Sequence, residues 1–219
     1  MKKLITVFLL VLIVSFPLNA QFKLGLKPVM GLNFNIHTGS DLPQSGSGVG
    51  FIFGGHADME FSKNIGLLAG LIFYDNRSGS YSATASEGGV SYTDDVSSSL
   101  AYFQIESLFK YTLPSNIYLV AGPVLGFNVE SEGQRTVTLT TPGYSFPGGG
   151  TSQKSTASIK DTQVRFELKM GAGYEIPLTR SIDVVPQVTF GYGLTNVVKD
   201  VKWKILTFQA VVGVKFSVI

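Results

Sequence analysis

The chain has 219 residues, with 17 Lys and Arg against 15 Asp and Glu and a formal net charge of +2. Only 15% of residues are charged, 25 are Gly and none is Cys. These figures exclude a disulfide framework, a Cys-based metal site and a lipoprotein anchor on Cys, and they offer no basic surface for nucleic acid.

The first twenty residues begin with Lys2-Lys3, run apolar from Leu4 to Val14 and end at Leu18-Asn19-Ala20. A basic start, a short apolar middle and a small residue at the cut predict a cleaved secretory signal over 1–20. Residues 21–219 are then one domain, with 15 charges of each sign once Lys2 and Lys3 are removed. No later apolar run reaches the ~18 residues of a spanning helix, so a membrane form has to be a closed barrel.

From residue 22 onward the dominant signal is alternation, the period of a β-strand. Segment 22–36 sets Phe22, Leu24, Leu26, Met30, Leu32, Phe34 and Ile36 against Lys23, Lys27, Asn33 and Asn35. Segment 49–61 sets Phe51, Phe53, Ala57, Met59 and Phe61 against His56, Asp58 and Glu60, whereas 66–74 is apolar on both sides. Segment 100–113 sets Phe103, Ile105, Phe109 and Tyr111 against Gln104, Glu106 and Lys110. In 117–129, Ile117, Leu119, Ala121, Leu125, Phe127 and Val129 share a face opposite Gly122, Gly126 and Asn128.

The clearest case is 163–176, with Val164, Phe166, Leu168, Met170, Ala172, Tyr174 and Ile176 opposite Arg165, Glu167, Lys169 and Glu175. Segments 182–194 and 206–218 repeat the pattern, the last with Lys215 on its polar face. Strands this long exceed the usual five or six residues and suit the roughly 9–11 needed to cross a bilayer at a tilt. Connections alternate between short (62–64, 114–116, 177–180) and long (38–48, 78–98, 131–160, 195–202). Tight turns at one end and longer loops at the other are the habit of outer-membrane barrels.

Several residues carry a resemblance to a known family: the junction Ala20-Gln21, the segment Tyr118-Leu119-Val120-Ala121-Gly122-Pro123 and the turn Phe61-Ser62-Lys63-Asn64-Ile65-Gly66. The whole mature chain resembles the small outer-membrane β-barrel proteins of bacteria, of the OmpA type. The resemblance implies an eight-stranded antiparallel up-and-down transmembrane β-barrel, contact with outer-membrane lipid, and the barrel-assembly machinery as a partner. Members commonly end on an aromatic residue read by that machinery. This chain ends Phe216-Ser217-Val218-Ile219, which leaves Phe216 for the role. Pro28, Pro123 and Pro186 fall within strands and are expected at bulges or near a rim.

On this phase the lumen receives Lys27, His56, Asp58, Glu60, Glu106, Lys110, Arg165, Glu167, Lys169 and Lys215, both signs together, as a paired polar network. Outward aromatics expected at the membrane interfaces are Phe22, Tyr111, Tyr174 and Phe216 at one end, and Phe34, Tyr192 and Trp203 at the other. Residues 78–98 and 131–160 read as strand pairs that continue past the membrane to glycine-rich tips and could meet a protein or glycan ligand. The sequence thus points to a non-enzymatic surface scaffold, with porin-like passage as the alternative and a soluble barrel of inverted faces as the structural rival. An enzyme acting on lipid would have to use His37, Ser40 and Asp41 at the rim, and His56, Asp58 and Glu60 share a face that could bind a metal. Neither spacing matches a signature, and no catalytic, cofactor or metal site is expected.

Overall fold

A computed structural model describes residues 22–218 and contains eleven strands. They are β1 (Lys23–Thr38), β2 (Gly46–Glu60), β3 (Ile65–Asn76), β4 (Gly79–Glu87), β5 (Val90–Thr112), β6 (Ile117–Leu139), β7 (Ser152–Ser158), β8 (Arg165–Tyr174), β9 (Ile176–Pro177), β10 (Ile182–Gly193) and β11 (Lys204–Ser217). Neighbours pair antiparallel in the ring β1-β2-β3-β5-β6-β8-β10-β11, and β11 closes onto β1 from Gly25↔Ser217 to Thr38↔Lys204. The eight staves correspond to the eight alternating segments of the sequence. The expected signal at 1–20 lies outside the described residues.

Alternation places the two chemistries. Met30, Leu32, Val49, Phe73 and Val188 stand exposed on the outside, while Lys27, Asp58, Lys110 and Glu167 are buried inside. An apolar outer wall on a closed sheet suits lipid, since closure leaves the ring without an open edge there. Among the described residues no helix is long and apolar enough to cross a membrane. The turns at 61–64, 113–116 and 178–181 share one end with both described chain ends, Phe22 and Val218.

The lumen is not uniformly polar. Leu68, Leu108, Val120, Val124 and Val185 form one apolar cluster inside, and Val29, Ile52, Ile72 and Val211 form another. Glycine makes room for large side chains between these layers. A Cβ on Gly173 would run into the Tyr118 ring, which lies across it.

Two strands run far beyond the ring. β5 and β6 have 23 residues each and stay paired up to Tyr92↔Leu139. β4 pairs with the upper half of β5 from Gly79↔Ser98 to Glu87↔Val90, and β7 pairs with upper β6 from Glu132↔Ser158 to Thr138↔Ser152. The two expected hairpins are therefore joined into one four-stranded projecting sheet, β4-β5-β6-β7. The β4–β5 hairpin turns through Gly88 and Gly89 at φ +58 and +82, the two-residue turn that demands left-handed backbone at both positions.

The prolines differ from expectation. The ladder lapses for two residues at Lys27-Pro28 on the β11 side, at Gly122-Pro123 on the β5 side and at Val185-Pro186 on the β8 side. Register is the same before and after each lapse, so these are not bulges, and each proline lies four to six residues in from the short-turn end of its strand. A missing N–H opens one side of the ladder and leaves the other paired. The true register shifts lie at Phe53/Gly54, Ile72/Asp75 and Ala101/Tyr102.

Two outcomes test this architecture. Gly173→Val should lower unfolding stability by about 1–3 kcal/mol through overpacking against Tyr118, measured by urea unfolding from lipid vesicles. Gly88→Val should leave that value unchanged and loosen only the hairpin tip, measured by hydrogen exchange there.

Candidate functional site

The lumen side chains form a plug in levels. At the short-turn end, Lys110 Nζ lies 2.8 Å from Asp58, 3.3 Å from Glu60 and 2.6 Å from Glu175. Lys215 Nζ joins the same three carboxylates at 3.3, 2.7 and 3.2 Å. The carboxylates of Asp58, Glu60 and Glu175 converge within 4.8 Å of one another, as metal ligands would, yet two ammonium groups already fill the space between them. Just above, Lys27 donates to Gln187 at 3.1 Å and lies 5.4 Å from the Tyr118 ring centre, with no carboxylate in contact.

In the middle level His56 Nε2 donates to Glu106 at 3.0 Å, and Lys169 pairs with the other Glu106 oxygen. His56 thus looks away from Asp58 and Glu60, and the face-sharing metal set read from the sequence does not assemble. Above it, Arg77 donates from Nε to Asp75 at 2.6 Å, and its terminal nitrogen lies 3.5 Å from Glu167. Arg165 grips Glu167 at 3.0 and 2.5 Å. Asn33 and Gln104 complete the shell of Asp75 at 2.6 and 2.5 Å.

All ten lumen residues read from the sequence face the interior, and Glu60 is the most exposed of them, with 22% of its side-chain surface accessible. Three charged residues were missed: Glu175, Asp75 and Arg77. Asp75 and Arg77 are both at 0% exposure. Their parity should point them outward, but Phe73 and Tyr74 together oppose Phe103 at the Ile72/Asp75 shift, and this extra residue turns the rest of β3 inward. Among the described residues, the levels of this plug hold six cations (Lys27, Arg77, Lys110, Arg165, Lys169, Lys215) and six carboxylates (Asp58, Glu60, Asp75, Glu106, Glu167, Glu175), with Asp183 half-exposed beside Lys215 at the short-turn rim. That balance lets the charges be buried, because each gains an opposite neighbour or a hydrogen-bonding shell in place of water.

At the outer mouth, Trp203 Nε1 donates to His37 Nδ1 at 3.1 Å, and His37 Nε2 donates to the Arg77 carbonyl at 2.9 Å. Both ring nitrogens are occupied, which fixes a neutral tautomer protonated on Nε2. Ser40 instead donates to Asp41 at 3.0 Å, and Asp41 accepts the Lys202 backbone N–H at 2.9 Å. His37, Ser40 and Asp41 do not form a catalytic relay.

Trp203 is also a correction, since it was expected at the outer interface. It packs inward against Leu100, Tyr102, Val197 and Ile205. It precedes β11, so strand parity never governed its direction. Phe22, Phe34, Tyr111, Tyr174, Tyr192 and Phe216 are exposed on the outside.

On the projecting sheet, Arg135 holds Asp94 by two hydrogen bonds of 2.8 and 2.7 Å. These bonds keep the Asp94 carboxyl below its ordinary range. Arg135→Ala should raise the Asp94 titration back toward the ordinary carboxylate range, read by carbon-detected NMR. Within the barrel, Arg77→Met leaves Asp75 without its closest cation and should cost about 3–5 kcal/mol in unfolding from vesicles. Adding Asp75→Asn should recover part of that loss, because Arg165 still neutralises Glu167.

The model of the outer membrane protein beta-barrel domain matches residues 14–199. No curated protein matches the sequence. Among solved structures, Ail, the attachment invasion locus protein of Yersinia pestis, in complex with the heparin analogue sucrose octasulfate, is 13% identical. The alignment covers 89% of this chain and 99% of that one at a TM-score of 0.41. Neisserial surface protein A is 14% identical over 88% of this chain and 96% of that one, at 0.40. CarO2 of Acinetobacter baumannii is 16% identical over 86% and 99%, at 0.37. The closed ring of eight staves and a family match over most of its length give one conclusion: the chain belongs to the outer membrane protein beta-barrel domain family and resides in the bacterial outer membrane.

Proposed function

We propose that this protein is a non-enzymatic scaffold whose sealed barrel holds the β4-β5-β6-β7 sheet above the membrane for a partner to engage. The observation that carries this reading is the long β5–β6 ladder, which runs from Thr112↔Tyr118 in the barrel to Tyr92↔Leu139 in the sheet, with one two-residue lapse at Gly122-Pro123 inside the barrel and a single register shift. It is unlapsed from Ala101↔Glu130 to Tyr92↔Leu139. A shared ladder transmits the rigidity of the barrel to the surface it presents, whereas a flexible loop would pay an ordering cost on binding.

The plug supports the sealed half of the reading. Asp75, Arg77, Gln104, Lys110 and Glu167 lie at 0% exposure across the lumen, and ion pairs tie them to several staves at once. A conducting path would require some of these pairs to separate inside a confined space, which is costly. The occupied nitrogens of His37 argue in the same direction against rim-sited acyl transfer. The exposed rings of Phe22, Tyr111, Tyr174 and Phe216 near the short-turn end, with Phe34 and Tyr192 toward the other, are suited to the two interfaces. Phe216, outward on the final strand, is the residue we assign to recognition by the barrel-assembly machinery.

Purified protein shown to be inserted in a planar lipid bilayer should give no unitary conductance steps. Reproducible steps would replace this reading with porin-like passage. In cells, shortening 131–160 should abolish partner engagement while leaving the barrel folded, and His37→Ala should leave engagement intact.

A further inference from the structure

The outward face of the projecting sheet continues the lipid-facing side of the barrel, yet its chemistry changes completely. Two neighbouring rungs cross three strands there: Ser82↔Asp95↔Thr136 and Ser80↔Ser97↔Gln134. Together with Tyr81 and Val96, these six residues line a shallow trough of about 350 Å³. Strands lie about 4.8 Å apart and alternate residues about 6.8 Å apart, so the polar platform measures roughly 10 by 7 Å. That is the footprint of one or two sugar rings.

Elsewhere on this face, hydroxyl groups satisfy each other across strands. Ser86 pairs with Ser91 at 2.7 Å, and Thr138 donates to Ser152 at 3.3 Å. None of the six trough side chains makes a side-chain hydrogen bond to another described residue. Their donors and acceptors are held on a rigid ladder and left open to the outside.

The chemistry of the trough selects among ligands. Its one carboxylate is Asp95, the only other titratable residue lining it is Tyr81, and Arg135 lies on the opposite face, engaged by Asp94. An anionic ligand would meet the Asp95 carboxylate within the trough itself, because Lys154, paired with Thr136 on the same rung, stands one strand farther out on β7. An apolar ligand would find hydroxyls and an amide. A peptide strand would add to the edge of β4 or β7 instead of lying across the face. Each partner that remains must offer several neutral hydroxyls, which can donate to Asp95 and accept from Gln134, Ser97 and Thr136.

We infer that this trough binds a neutral saccharide, with Asp95 accepting from adjacent sugar hydroxyls and Gln134, Ser82, Ser97 and Thr136 completing the contacts. This inference rests on the scaffold reading and names the partner class for it. Asp95 lies six residues along β5 beyond Ala101, about 20 Å at strand rise, and so stands clear of the apolar wall. Sugars carried by neighbouring membrane lipid and sugars free in solution or on another surface present the same hydroxyl chemistry.

The test uses the full mature chain in lipid nanodiscs. Binding is measured by titration calorimetry and on a printed panel of neutral glucose-, galactose- and mannose-based oligosaccharides, with sulfated oligosaccharides alongside. A second arm embeds the same neutral sugars as glycolipids in the nanodisc and reads the chemical shifts of Asp95 and Gln134. Neutral sugars should bind, and Asp95→Ala should weaken them about tenfold or more, with a smaller loss for Gln134→Ala. Asp94→Ala, on the opposite face, should leave binding unchanged. Response in the glycolipid arm alone would assign the source to the membrane, and response in the soluble arm would assign it to free glycans.

Several results would overturn the inference: no neutral sugar bound in either arm, binding indifferent to Asp95→Ala and Gln134→Ala, or a preference for sulfated sugars. A protein partner captured equally well by the Asp95→Ala chain would do so too, and would leave the scaffold reading standing. Loss of all partner engagement only on shortening 131–160, with sugars never bound, separates the two in the same way.

Discussion

Hydrocarbon supplies no hydrogen bonds, and the whole molecule is arranged around that fact. Every backbone group in the membrane has to find its partner within the sheet, so the sheet closes, β11 onto β1 through a long antiparallel ladder. Closure creates an inside, and alternation then fills it with whatever the outer face rejects. With eight staves the inside is about as wide as side chains can fill, and charged and apolar side chains occupy it here. The choice of six cations and six carboxylates is the electrostatic solution to that confinement. Pairing across the lumen also braces the wall, since Lys110 of β5 reaches β2 residues and Glu175 beside β8, and Arg77 beyond β3 reaches Glu167 of β8.

The same rule relaxes once the strands leave the membrane. Above the bilayer, water can satisfy an open edge, and the ring gives way to a four-stranded sheet bounded by β7 on one side and, above its bridge to β2 at Ser47↔Ser80, by β4 on the other. β7 pairs only with β6, and its residues Ser152 to Ser158 are all exposed. An exposed edge invites unwanted pairing. Here that hazard is blunted by short edge strands and, on β7, by hydroxyl-rich sequence carrying Lys154. The outward trough lies in the middle of this sheet, on the strands most firmly tied to the barrel.

Much of this was legible because period-two alternation is a strong signal when one face meets lipid and the other a charged lumen. The eight staves and the inward direction of the ten polar residues followed from it directly, while the two hairpins were read from their glycine-rich tips. What stayed hidden has specific causes. Asp75 and Arg77 are reversed by one extra residue at Phe73-Tyr74, and nothing in their local sequence marks the shift. Trp203 lies between strands, where parity has no force. The union of the two hairpins depends on β5–β6 pairing among Ser, Thr and charged residues whose pattern does not distinguish a ladder from a polar loop. The prolines misled in the other direction, because a sheet tolerates a missing donor by opening one side of the ladder without changing register.

The central claim is that barrel and projecting sheet are one rigid body. Amide hydrogen exchange of the protein in lipid vesicles addresses it most directly, followed residue by residue over Val90–Ser99 and Ser131–Leu139. If the ladder is continuous, the paired amides of these stretches are protected for hours, within reach of the barrel amides below them. Exchange within seconds over both stretches would show that they are mobile loops, and the account of a presented surface would fail.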